Sequence, residues 1–135
     1  MVSGLSTSPI SHKIHFMKHI WIVGIGGMIG SMLRYLSSIV FSAPNQHWAT
    51  MCINILGSLL IGIVFGLTKS QTWMNDEWRL FLATGVCGGF TTFSTFSHDN
   101  LMLLQDGKYL TLAVYTIASL VLGILAVWVG YKLAG

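Results

Sequence analysis

Gly88-Gly89-Phe90-Thr91-Thr92-Phe93-Ser94-Thr95-Phe96-Ser97 sets a glycine pair and five hydroxyl side chains inside a run that is otherwise apolar enough for a lipid bilayer. Backbone and hydroxyl dipoles at bilayer depth are costly unless a neighbouring helix, an ion or water satisfies them. The segment must therefore face protein or a polar path.

Outward from this segment the chain keeps the same character. Of its 135 residues 53% are hydrophobic and 8% charged, and the mean hydropathy is +0.71, whereas about 25% of a soluble domain is charged. The sequence divides into four apolar spans near residues 19–42, 48–67, 79–103 and 109–133, close to the roughly 17 to 25 residues a crossing helix needs. Short polar turns separate them, at 43–47, 69–77 and 105–108. Trp21, Trp48, Trp73, Trp78, Trp128 and Tyr131 fall at span ends, as an interfacial aromatic belt requires. The predicted fold is an all-α membrane protein, four transmembrane helices over residues 19–135 behind a polar tail at 1–18, in a multi-pass cell (inner) membrane setting.

The tail is Ser-rich, with His12, Lys13 and His15, and has no apolar core followed by a small-residue cleavage site, so a cleaved signal is not expected. It reads as a passive tail, or Met17 is the start. Cys52 and Cys87 lie inside spans at a spacing that matches no metal motif, and read as small apolar fillers. The net charge of +3 comes from basic residues scattered at span ends, which make no patch for nucleic acid. They are topology signals. With four spans both termini share one side; that side carries Lys13, Lys18, Lys69, Arg79 and Lys132, against Lys108 and Arg34 opposite, which predicts both termini in the cytoplasm.

Small residues form stripes along the spans. Gly26 and Gly30, with Gly27 and Ser31, sit four apart in span one; Asn54, Ser58, Gly62 and Gly66 follow in span two; Thr111, Tyr115, Ser119 and Gly123 in span four. Residues at this spacing share one helix face, and small ones let backbones approach. Helix packing accounts for most of them. Asn54 exceeds that need, because an amide at membrane depth has four hydrogen-bonding positions to satisfy. The glycines of span one do not make a dinucleotide fingerprint, since Ile29 holds the third glycine position and no strand precedes it.

In span three, Phe93 and Phe96 share a face and are interleaved with Thr92, Ser94, Thr95 and Ser97. A phenylalanine pair is more often core than pathway, but these flanking hydroxyls and the Gly88-Gly89 pair shift the balance. Paired glycines weaken a helix, and freed carbonyls at the midplane are a recurring way to hold a cation. A break over residues 88–91 is expected. Arg34, followed by Tyr35, is the one basic residue well inside a span; it is either an anion-attracting charge in a vestibule or an anchor that snorkels. No carboxylate occupies the centre of a span, which argues against a proton relay, and Asp99 is expected nearer an interface.

Gly27-x-x-Gly30-Ser31-x-x-Arg34-Tyr35, Asn54-x-x-Gly57 and the run from Gly85 to Ser97 together resemble the Fluc (CrcB-type) fluoride channels from about residue 19 onward. The resemblance implies an antiparallel, dual-topology dimer of four-helix subunits with two fluoride paths and a structural sodium ion at its centre. Backbone carbonyls of Gly88 and Thr91 would hold the sodium. Phe93 and Phe96, with Ser94 and Thr95, would line the anion path; Asn54 would be its amide, Tyr115 and Ser119 its polar track, and Arg34 a vestibule residue. It also implies a passive channel that exports toxic fluoride, and no enzyme.

Two positions depart from the family pattern. Gly123 stands where the span-four track usually carries another hydroxyl, and Asp99 replaces the usual glutamate. The positive-inside bias also exceeds what equal insertion in both orientations needs, so the partner is either an antiparallel second copy or an oppositely oriented paralogue. The competing reading is a small dual-topology proton-coupled multidrug exporter, which wants an embedded carboxylate that spans one and two lack. An intramembrane hydrolase built on His98 and Asp99 is disfavoured, because adjacent residues diverge by about 100° on a helix.

Overall fold

A computed structural model describes residues 9–41 and 46–135, and among these every regular element is helical. Helices α1 (Pro9–Val40), α2 (Gln46–Ser70) and α6 (Tyr109–Ala134) are continuous spans. The third span is composite: one turn of α3 (Asp76–Arg79), a π-helix (Leu80–Cys87), α4 (Gly88–Phe90), an extended pair at Thr91 and Thr92, and then α5 (Phe93–Gln105). Four segments, 14–40, 46–70, 76–105 and 109–134, are long and apolar enough to cross a membrane. The chain is a multi-pass membrane protein, and its many exposed Leu, Ile and Val side chains are what a lipid-facing surface requires.

Helix α1 begins well before the expected start of span one, inside the segment read as tail. At about 1.5 Å per residue its 32 residues reach about 48 Å, longer than a hydrocarbon core of about 30 Å. Its first turns therefore project past the apolar layer, where Lys18 pairs with Glu77 beside α3. Residues 1–8 of the tail, residue 42 at the end of span one and 43–45 of the first turn lie outside the described residues; the last two residues assigned to that turn, Gln46 and His47, already belong to α2.

Glycine stripes set the packing. The largest interface joins α2 and α6, where a Cβ on Gly62 would overlap the Val127 carbonyl, one on Gly66 would stand 2.7 Å from the Tyr131 carbonyl, and one on Gly130 would overlap that of Leu59. The second joins α1 to the π-helix and α4. There a Cβ on Gly26 would lie 2.5 Å from the Phe81 carbonyl, one on Gly30 would overlap that of Val86, and one on Gly89 would lie 2.5 Å from that of Gly27. Only a missing side chain permits this approach, as expected for helices held together in lipid by van der Waals contact.

That packing corrects the position of the break. Gly88 is helical, with φ −62° and ψ −38°, and the helix continues through Phe90. The chain first turns extended at Thr91 (φ −76°, ψ 157°) and stays so at Thr92 (φ −149°, ψ 112°). Gly89 serves close contact with α1 and not an unwound backbone, whereas the Thr92 side chain supplies a bond that replaces a helical one.

Candidate functional site

At the break, side chains take over the work of the helix. Thr91 Oγ1 donates to the Cys87 carbonyl at 2.9 Å. Thr92 Oγ1 accepts from the Thr95 amide at 3.2 Å and so caps α5. The backbone of Thr92 is clamped from both sides by Asn54: its amide donates to Asn54 Oδ1 at 2.8 Å, and its carbonyl accepts from Asn54 Nδ2 at 3.1 Å. In a continuous helix the amide of Thr92 would donate to the Gly88 carbonyl, and that of Thr95 to the Thr91 carbonyl. Both donors are diverted, so these two carbonyls lose their helical partners.

Beside the break, α2, α5 and α6 enclose a groove of about 410 Å³ that opens onto the subunit surface. Asn54, Ser58, Thr91, Phe93, Phe96 and Ser119 face it. Phe93 is 77% exposed, and its ring lies 5.8 Å from that of Phe96. Ser119 Oγ is buried without a hydrogen-bond partner. Gly123 also lines the groove, and a Cβ there would sit 3.7 Å from Ser58 Oγ. Where the resemblance leads one to expect a hydroxyl on α6, the nearby hydroxyl comes from α2.

Tyr115 does not line this groove. It is fully buried behind Phe96, ring to ring at 5.3 Å, and donates to Asp99 Oδ2 at 3.2 Å. Asp99 is buried in the third span, toward its Gln105 end, a burial that the sequence did not show. Its depth follows from the pairing: a carboxylate can stay buried when a donor such as the Tyr115 hydroxyl faces it. Neighbouring His98 is exposed, with Nδ1 at 3.9 Å from Asp99 Oδ1, beyond a hydrogen bond. A second tie, from Thr116 Oγ1 to Asn100 Oδ1, joins the next residue of each helix and fixes α5 to α6.

Arg34 lies on the other side of the break, in a separate cavity of about 270 Å³ shared with Ser31, Gln46, Thr50, Thr92 and Thr95. Among the described residues it forms no ion pair. Thr92 borders both spaces, and its hydroxyl contacts Ser94 Oγ at 3.2 Å and Thr95 Oγ1 at 3.0 Å. Of the residues singled out in the sequence, Asn54, Phe93, Phe96 and Ser119 thus share the groove, Thr95 and Arg34 the cavity, and Ser94 the hydroxyl cluster between them.

Sequence reasoning missed the role of Thr92, the burial of Asp99 and the contribution of Ser58. Only Ser58 carried a signal, its place in the Asn54 stripe. The other two depend on partners 38 and 16 residues away. Among the described residues no group of three or more His, Cys, Asp or Glu could hold a metal.

Comparison with known proteins gives a consistent result. The family model described as CrcB-like protein, Camphor Resistance (CrcB), matches residues 21–131. A fluoride-specific ion channel FluC from Phocaeicola vulgatus is 47% identical over 117 residues, 84% of this chain and 96% of the relative. One from Agrobacterium fabrum is 46% identical over 120 residues, covering 87% and 96%. Another, from Flavobacterium psychrophilum, is 42% identical over 121 residues, covering 87% and 98%.

Proposed function

Because the chain belongs to the CrcB-like family, an ion-channel family and not one of enzymes, we propose that it conducts fluoride passively across the cell membrane and so exports the toxic ion from the cytoplasm. The observation that carries this reading is the groove: an amide, hydroxyls and two phenyl rings around a buried Ser119 Oγ that lacks a partner. Fluoride is small and strongly hydrated, so a narrow path must replace its water with donors. The Ser119 hydroxyl can donate. Asn54 retains one N–H after clamping Thr92. Phenyl edges present the positive part of the ring quadrupole without the full charge that would trap an anion. Arg34, unpaired in its own cavity, draws anions toward the break.

One subunit does not enclose this path. Phe93 stands open to the outside at 77% exposure, and a second copy laid antiparallel, or an oppositely oriented paralogue, would close the groove. The carbonyls of Gly88 and Thr91 fit a structural sodium ion at the centre of such a pair. They are hard oxygen acceptors whose helical donors are diverted to Asn54 and Thr92. A two-fold arrangement would double the two oxygens that one subunit offers. A sodium ion there would supply a fixed positive charge to hold the paired backbones together. Orientation follows from the basic residues. Ser70 Oγ bonds the Ala134 carbonyl, which brings the Lys69 and Lys132 ends together, and a positive-inside reading turns that end to the cytoplasm.

Fluoride efflux from proteoliposomes, with a potassium ionophore to dissipate the voltage, tests the reading. Fluoride should leave rapidly and chloride hardly at all; equal rates would remove the claim of selectivity. Purification without sodium should lower the dimer fraction in gel filtration, and an unchanged fraction would argue against the ion.

A further inference from the structure

Two buried polar atoms lack hydrogen-bond partners among the described residues, Ser119 Oγ and His47 Nε2. Buried polar atoms are paired in the great majority of cases, and an unpaired one destabilises the fold, so each points to a partner that the chain does not provide. Both flank the same residue. Ser119 lies one turn beyond Tyr115 on α6, and His47 packs across from Tyr115 with ring centroids 5.5 Å apart and planes at 76°. A row of rings therefore runs from Phe93 through Phe96 and Tyr115 to His47, and Trp48 closes it at 5.0 Å from His47.

We propose that His47 is a further fluoride-contacting residue, its Nε2–H donating to the anion at the end of this row beyond Phe96 and Ser119. The proposal rests on the fluoride-channel reading. The chemistry suits the place. A neutral imidazole offers one donor and no fixed charge, which lets an anion bind and leave. The groups that bear on it are few. Tyr115 faces it from α6; Asp99 on α5 stands behind the Tyr115 hydroxyl, with His98 at 3.9 Å from its other oxygen. From α1, Arg34 faces the cavity that Gln46 and Thr50, on the same end of α2 as His47, also line.

The test compares wild type, His47→Phe and His47→Gln in proteoliposomes, with the leak of protein-free vesicles subtracted. Phenylalanine keeps the ring contacts and removes the donor; glutamine keeps an N–H and does not titrate. His47→Phe should slow fluoride efflux about tenfold or more, the order for losing one hydrogen bond to an ion, and His47→Gln should stay within about threefold. His47→Phe conducting at the wild-type rate would overturn the proposal. Should that variant not fold, His47→Leu and His47→Gln decide: equal efflux from the two overturns the proposal, and efflux slowed in His47→Leu alone supports it. Wild type that passes no fluoride at any pH overturns the channel reading itself.

Discussion

Two regions of this molecule reach tight packing by opposite means. Along α1 against the π-helix, and along α2 against α6, backbones meet because side chains are missing at Gly26, Gly30, Gly62 and Gly130. At the Thr91–Thr92 break, backbone bonds are missing, and Asn54 and Thr92 replace them with side-chain ones, while Thr91 Oγ1 adds a second bond to the Cys87 carbonyl. The first region is a problem of volume and the second one of chemistry. Substitutions should divide accordingly: the glycine seams respond to size whatever the polarity, and the break to donors and acceptors whatever the size.

The largest effect belongs to the seams. A Cβ on Gly30 would overlap the Val86 carbonyl and approach the Phe90 amide nitrogen at 2.8 Å, both of them backbone atoms with no rotamer to yield. Gly30→Ala should therefore cost at least about 2 kcal/mol, within the range for overpacking, seen as a lower melting temperature in detergent. Gly27, its neighbour on α1, has nothing within 4 Å of the same added atom. Gly27→Ala should stay within about 0.5 kcal/mol of wild type. Equal losses at the two positions would show that helix propensity, and not contact, governs this seam.

Next comes the clamp. Asn54→Leu is close in size, yet it leaves the buried Thr92 amide without its acceptor, at about 1–3 kcal/mol, and should abolish most fluoride efflux. Asn54→Asp keeps an oxygen for the Thr92 amide but loses the donor to its carbonyl and sets a negative charge beside the groove. It should melt closer to wild type than Asn54→Leu while conducting no better. If the two variants fell together in stability, volume would explain the break as well, and the contrast between the regions would fail.

What the sequence disclosed follows the same division. Glycines four apart announce a seam by local periodicity alone, so the stripes in α1, α2 and α6 were readable, as were four spans from length and hydropathy. The polar anomaly from Gly88 to Ser97 was readable too, but its internal assignment was not. The glycine pair suggested the break, because local flexibility is all that a sequence shows. The structure moves it to Thr91 and Thr92, where partners distant in sequence decide the outcome. Asn54 looked like a pore amide with capacity to spare; half of that capacity goes to the Thr92 backbone. The burial of Asp99 was not readable because the Tyr115 hydroxyl that permits it lies on another helix.

A smaller effect separates cap from bulk at the break itself. Thr92→Val preserves shape and removes the oxygen that accepts from the Thr95 amide and contacts Thr95 Oγ1. Loss of an N-cap costs about 1 kcal/mol, so its melting temperature should fall below that of Thr92→Ser, which keeps the oxygen and gives up a methyl group.

The smallest effect is reserved for a third kind of contact, the exposed ion pair between Lys18 on the projecting end of α1 and Glu77 on α3. Their side chains are 54% and 41% exposed, so water competes with the pair and salt screens it. It joins the same two parts of the chain as the Gly26 and Gly30 seam, which makes the comparison direct. Lys18→Gln should leave the melting temperature unchanged at high salt and lower it only slightly at low salt. A loss as large as that of Gly30→Ala would mean that charge, and not close backbone contact, holds α1 in place. The lysine can still matter earlier, because a positive-inside preference acts during insertion, before Glu77 is in reach. Cysteine labelling from the two sides of the membrane should then show Lys18→Gln shifting the orientation ratio while leaving the melting temperature where it was.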